Sequence, residues 1–130
     1  MTLNDPLANA LSKILYAEKN ARAECIIYPI SKIIKTVLGI MQHKGYVGSF
    51  EIIEDSKGNK IKINLIGRVN NCGVIKPMFA AKAEDIERFE RRFLPAKDFG
   101  ILLITTNKGI ITNSESKEKN VGGKLLAFIY

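Results

Sequence analysis

The sequence predicts an α+β fold in two parts, and three observations predict it. The first half interleaves apolar residues at helical spacing with short alternating stretches, in the order helix, strand, helix, strand, strand. A cluster of asparagines and glycines, GRVNNCG at 67–73, then interrupts the pattern. Beyond it the chain turns richer in strands, with one short amphipathic helix. At 130 residues, one domain or two very small ones fit, and a hydrophobic fraction of 46% is enough for a real core. The predicted division is residues 1–68, an α+β domain, and 69–130, a β-rich domain.

The first element is a helix over Asp5–Asn20. Asp5 suits the N-cap, Pro6 the first helical position, and Leu7, Leu11, Ile14 and Leu15 one stripe. Glu24–Tyr28 reads as a short strand stopped by Pro29. Ser31 or its neighbour caps a second helix with the stripe Ile30, Ile33, Ile34, Val37, Leu38 and Met41, ended by Gly45. Val47–Glu54 and Lys60–Ile66 form a hairpin joined by DSKGN. There Lys60, Lys62 and Asn64 alternate with Ile61, Ile63 and Leu65, which predicts one buried face and one wet, basic face. Two helices on one face of this small sheet complete the first domain. In the second, Val74–Lys76 and Met78–Ala81 flank Pro77. Ala83–Leu94 is one amphipathic helix ended by Pro95, with Ile86, Phe89 and Phe93 inward. Strands follow at Ile101–Thr105, Gly109–Thr112 and Lys124–Tyr130, with a polar turn or short helix around Ser114–Lys119. There are no internal repeats.

Composition excludes several classes of function. The aliphatic runs are short and broken, so no membrane span is expected, and MTLNDPLANALSK lacks the pattern of a secretory signal. A cytoplasmic protein is the expectation. Cys25 and Cys72 fit buried thiols better than a disulfide, and His43 is the single histidine, so no metal site or cofactor is expected. One histidine and no paired carboxylates also leave little raw material for catalysis; Asp85 and Glu87 read as solvated helix charges. The net charge of +7 favours an anionic partner, most often nucleic acid. Neither half carries a basic tail, so any such surface is assembled by folding.

Three stretches supply candidate contacts. In TTNKG, Asn107, Lys108 and Gly109 suffice for a tight hairpin turn, yet Thr105, Thr106, Asn107 and Thr112 exceed what a turn needs. Hydroxyls and a carboxamide donate and accept at base edges and at the 2′-OH, Lys108 reaches a phosphate, and Gly109 removes bulk. Gly122, Gly123 and Lys124 are either a turn before the last strand or a bare backbone that lets a phosphate approach; the spacing of a Walker loop is absent. Phe128 and Tyr130 fall on one strand face, and Tyr130 either seals a core edge or stacks on a base.

These stretches resemble a known family. DPLANALSKI at 5–14, PISKIIKTVLGIMQHKGYV at 29–47, KP at 76–77, FLP at 93–95 and ILLITTNKGIITNSES followed by VGGKLLAF are similar, in order, to small-subunit ribosomal proteins of the S-eight family, archaeal type. The resemblance implies two small α+β domains packed side by side and a non-catalytic role. It implies direct binding to the central domain of the small-subunit rRNA, support of subunit assembly, neighbouring ribosomal proteins, and binding of the chain's own messenger RNA. Carried across, it implicates Thr105, Thr106, Asn107, Lys108 and Gly109, with Gly122, Gly123 and Lys124 near the RNA backbone. In the first domain it implicates Asp5, Leu7, Ala8 and Asn9, then Ser31, Lys32 and Lys35. Bacterial members usually carry Ser where Asn107 stands and an acid where Lys124 stands. The Lys82–Arg92 region is longer than the bacterial one, which leaves Arg88, Arg91 and Arg92 without an assigned partner. Read from residues alone, a DNA-binding or regulatory module stays the alternative, and a small enzyme is a weaker third.

Overall fold

The computed structural model describes residues 6–28, 31–55, 58–76, 79–96 and 99–130. The chain divides into two compact units, residues 1–71 and 72–130. None of the helices among the described residues is long and apolar enough to cross a membrane.

The first unit has the predicted order: α1 (Pro6–Lys19), β1 (Glu24–Ile27), α2 (Lys32–His43), β2 (Val47–Asp55) and β3 (Gly58–Leu65). The strands form an antiparallel sheet ordered β1-β3-β2. Its core combines Cys25, Ile27, Ile61 and Ile63 with Leu7, Ala10, Leu11, Ile14 and Ala17 of α1 and Ile34, Val37, Leu38 and Met41 of α2. A helix of this length is marginal alone in water. Burial of α2's four apolar side chains, about 1.5–3 kcal/mol each, is what holds it. Its ends are closed locally. The Ser31 hydroxyl accepts the Ile34 N–H at 3.2 Å. Tyr46 N–H donates to the Met41 carbonyl at 2.8 Å and Gly45 N–H to that of Gln42 at 3.1 Å, the bond pair of a Schellman end. Ile33, expected in the apolar stripe, is 50% exposed, because it sits roughly 100° round the helix from Ile34. Ile30 and the expected cap Asp5 lie outside the described residues.

Two expectations for the hairpin change. Pairing continues to Asp55↔Gly58, so the connection shrinks from DSKGN to Ser56 and Lys57, which lie outside the described residues. The outer face is also not simply basic. Lys62 is paired in register with Glu51 and bridges Glu24 at 3.2 Å, and Ile26 and Ile53 are exposed beside these charges. The chain leaving β3 is tied back to α1: the Val69 N–H donates to the Glu18 carboxylate at 3.1 Å, and Val69 is buried.

The second unit contains β4 (Cys72–Val74), β5 (Ala80–Ala81), a 3-10 turn (Ala83–Asp85), α3 (Ile86–Phe93), β6 (Ile101–Thr106), β7 (Gly109–Thr112), α4 (Asn113–Lys119) and β8 (Gly123–Ile129). The sheet runs β4-β8-β6-β7, and β5 also pairs with β8. Ile86 and Phe89 of α3 join Ile75, Ala81, Leu94, Leu102, Ile104 and Leu125 in one core. The single helix expected over Ala83–Leu94 is split: a 3-10 turn precedes α3, and Leu94 is already extended, as a residue before proline prefers. The polar stretch around Ser114–Lys119 is a true helix. A buried polar network fastens it. Asn113 accepts the Leu102 N–H through Oδ1 at 3.2 Å and donates through Nδ2 to Glu90 at 2.6 Å, and Glu90 also meets Lys117. Cys25 and Cys72 are both buried and neither is in a disulfide.

Candidate nucleic-acid interface

The TTNKG stretch is a hairpin tip. Thr105 and Thr106 end β6, Thr106 pairs with Gly109, and Asn107 and Lys108 make the reversal. Gly109 takes φ +123 with nothing near its Cβ position, so glycine is required here by backbone conformation, not by space. The two threonines are used differently. Thr106 Oγ1 donates to the Gly109 carbonyl at 2.8 Å and accepts the Lys108 N–H at 3.2 Å; its hydroxyl builds the turn. Among the described residues, the Thr105 hydroxyl, the Asn107 carboxamide and the Lys108 ammonium meet no partner. Asn107 and Lys108 are exposed and Thr105 is half-buried.

A bulge aligns the next group. β6 pairs Leu103 with Ala127 but Ile104 with Leu125, so Leu126 is an extra residue on β8. Thr105 therefore stands opposite Lys124, whereas an unbroken ladder would have placed Leu125 there. Lys124 in turn pairs with Ala80. Thr105, Lys124 and Ala80 thus form one row across three strands, and it floors a cleft of about 1030 Å³. The hairpin tip, the Ala80–Asp85 segment and Asn120–Lys124 form its walls. Lys82, Lys108 and Lys124 bring three cations to it from three different elements, against the carboxylates of Glu84 and Asp85. Asp85 is already engaged, accepting the Lys82 N–H at 3.3 Å and facing Arg88 at 3.8 Å.

The glycine pair has a packing cause. A Cβ on Gly123 would stand 2.3 Å from the Thr105 carbonyl oxygen, and one on Gly122 would stand 2.6 Å from that of Ala81. Both glycines let β8 close against its neighbours, which brings Lys124 into the row. They act through protein packing.

The remaining predicted residues divide clearly. Thr112 leaves the surface: it is fully buried and is the N-cap of α4, accepting the Glu115 N–H at 3.4 Å. Leu7 is also buried, in the core. Ala8 and Asn9 are half-buried, Lys32 and Lys35 are exposed, and the Ser31 hydroxyl serves as a helix cap. Asp5 lies outside the described residues. Tyr130 is half-buried, 6.1 Å from the Phe128 ring and 6.3 Å from that of Phe99, so it closes an aromatic edge away from the cleft lining. Asn120 and Lys82 are among the lining residues that the sequence does not single out. Asn120 holds a left-handed conformation, φ 55 and ψ 46, at the end of α4; an Asn after a lysine-rich helix and before Gly-Gly is a signal for that cap. Lys82 carried no signal, since it looked like one more helix-surface charge.

A family model described as ribosomal protein S8 matches residues 5–130. The small ribosomal subunit protein uS8 of the archaeon Methanococcoides burtonii is 50% identical over 130 residues, covering all of both chains. Matched over nearly its whole length by the one and end to end by the other, the chain belongs to the ribosomal protein S8 family, structural and non-enzymatic proteins of the small ribosomal subunit.

Proposed function

We propose that the chain binds directly to the central domain of the small-subunit rRNA in the cytoplasmic ribosome, supports subunit assembly, and reads its site through the cleft of the second unit. One observation carries this reading. Thr105, Asn107, Lys108 and Lys124 converge on one opening, and their side chains meet no partner among the described residues. Their chemistry divides the work. The lysines neutralise phosphates, which supplies affinity and makes it fall with salt. The hydroxyl and carboxamide suit base edges and the 2′-OH of an irregular, partly unstacked site. Asn107 places its N–H donors and its carbonyl acceptor on separate atoms, where a serine carries donor and acceptor on one oxygen. Lys124 attracts phosphate where an acid would repel it. Exposed Lys32 and Lys35 give the first unit phosphate contacts of its own.

Filter binding to a central-domain rRNA fragment tests the reading. Asn107→Ala is expected to weaken cognate binding by roughly 1–3 kcal/mol, the scale of a good polar base contact, and to leave unrelated hairpins unaffected. An equal loss on both would end the specific-readout reading. The same cleft extends the proposal to the chain's own messenger RNA, tested by a gel shift with its leader.

A further inference from the structure

Three arginines on α3 look alike in the sequence and differ in the structure. Arg91 pairs with Glu87 at 3.0 Å, four residues back on the same helix. Arg88 faces Asp85 at 3.8 Å and lies over the Phe89 ring at 5.3 Å. Arg92 has no carboxylate partner among the described residues. Its guanidinium lies over two rings instead, Phe79 at 4.9 Å and Phe93 at 5.4 Å. Those rings are fixed from behind: Phe79 stacks on buried Phe89 at 5.7 Å and Phe93 on Phe128 at 6.1 Å. Stacking occupies the faces of a guanidinium and leaves its N–H edge open. A planar cation whose rotamer is already fixed loses little freedom when it takes an anion. Phe79 itself turns to the α3 side of the sheet, with Ala81 and Leu125, but its chain runs directly into the cleft lining at Ala80. The Phe79 carbonyl accepts the Leu125 N–H, one rung along from the Ala80↔Lys124 pair of the cleft floor.

We infer that Arg92 is a second RNA contact of this unit, a forked grip on a backbone phosphate of the strand that enters the cleft, whereas Arg88 and Arg91 are held by their own helix. The inference rests on the proposed function. RNA is the favoured occupant because Lys82, Lys108 and Lys124, which line the cleft and meet no carboxylate among the described residues, ask for several phosphates in a row, which a single protein carboxylate does not supply.

The test uses the full chain and the same rRNA fragment, titrated by fluorescence anisotropy from about 50 to about 200 mM salt. Arg92→Gln is expected to weaken binding about three- to tenfold and to flatten the slope of log K against log salt by about 0.7–0.9, the loss of one phosphate contact. Arg91→Gln should change affinity by less than about twofold, as for an exposed ion pair. Arg92→Lys should keep most of the slope and lose part of the affinity, since an ammonium neither stacks nor forks. A circular-dichroism check that each variant is equally folded at both ends of the salt range ensures that the slope reports binding alone. Wild-type slope and affinity for Arg92→Gln, with Asn107→Ala weakened as expected, would overturn the inference and leave Arg92 a lid on its rings or a contact for a protein. Wild-type behaviour in both variants would instead overturn the proposed function.

Discussion

Two adjacent threonines stand differently at the hairpin tip, one hydroxyl spent inside the turn and the other without a partner among the described residues, and single substitutions separate them. Thr106 spends its hydroxyl inside the turn, so Thr106→Val should cost about 0.5–1.5 kcal/mol of stability, read as a lower melting temperature. The Thr105 hydroxyl meets no partner among the described residues. Thr105→Val should therefore leave melting unchanged and weaken cognate RNA by about 0.5–1.5 kcal/mol in filter binding. Cys25 carries a different prediction. Burial pushes its thiol above the usual value of 9.0, opposed by the nearby charges of Lys13 and Arg22, and burial pushes the Tyr46 phenol up from 10.0. A group that holds its proton longer when folded stabilises fully below its unfolded value and loses that contribution as pH rises past it. Urea melts should thus show stability falling above about pH 9, and Cys25→Val should blunt the fall. A flat profile would contradict the thiol's role.

Secondary-structure elements place these side chains, and the glycine pair is the critical joint. Gly123→Ala forces backbone apart where a Cβ would stand 2.3 Å from a carbonyl oxygen. It should cost roughly 1–3 kcal/mol as overpacking and weaken RNA binding as well, because Lys124 leaves its row. Ser31→Ala removes the α2 cap and should cost about 0.5–2 kcal/mol in a denaturant melt. These elements were legible because they rest on local signals: the stripe Ile34, Val37, Leu38 and Met41, the cap Ser31, and the alternation Ile61, Ile63. What was not legible depends on neighbours distant in sequence. Thr112 looks like one more exposed threonine until the end of β7 turns into α4 and buries it. The wet face of the first sheet reads as basic until Glu24 and Glu51 arrive from other strands. Lys82 joins the cleft only because β5 pairs with β8. The bulge at Leu126, which sets Thr105 against Lys124, has no signature in composition or spacing.

At the scale of the whole molecule the charge of +7 is shared by both halves, so no single basic tail supplies the affinity. Folding gathers the cations: three around the cleft, Arg92 on its rings, and Lys32 and Lys35 on the first unit. Family membership makes the protein a structural part of the small subunit. In the proposed function, long-range electrostatics would draw the chain to any RNA and the hairpin tip would select one site. A hydroxyl-radical footprint of the protein on small-subunit rRNA tests this division most directly. The account predicts protection centred on one irregular helix of the central domain, and loss of that protection in Asn107→Ala while diffuse protection elsewhere persists. Protection spread evenly over many helices, or a central-domain footprint unchanged in Asn107→Ala, would contradict it.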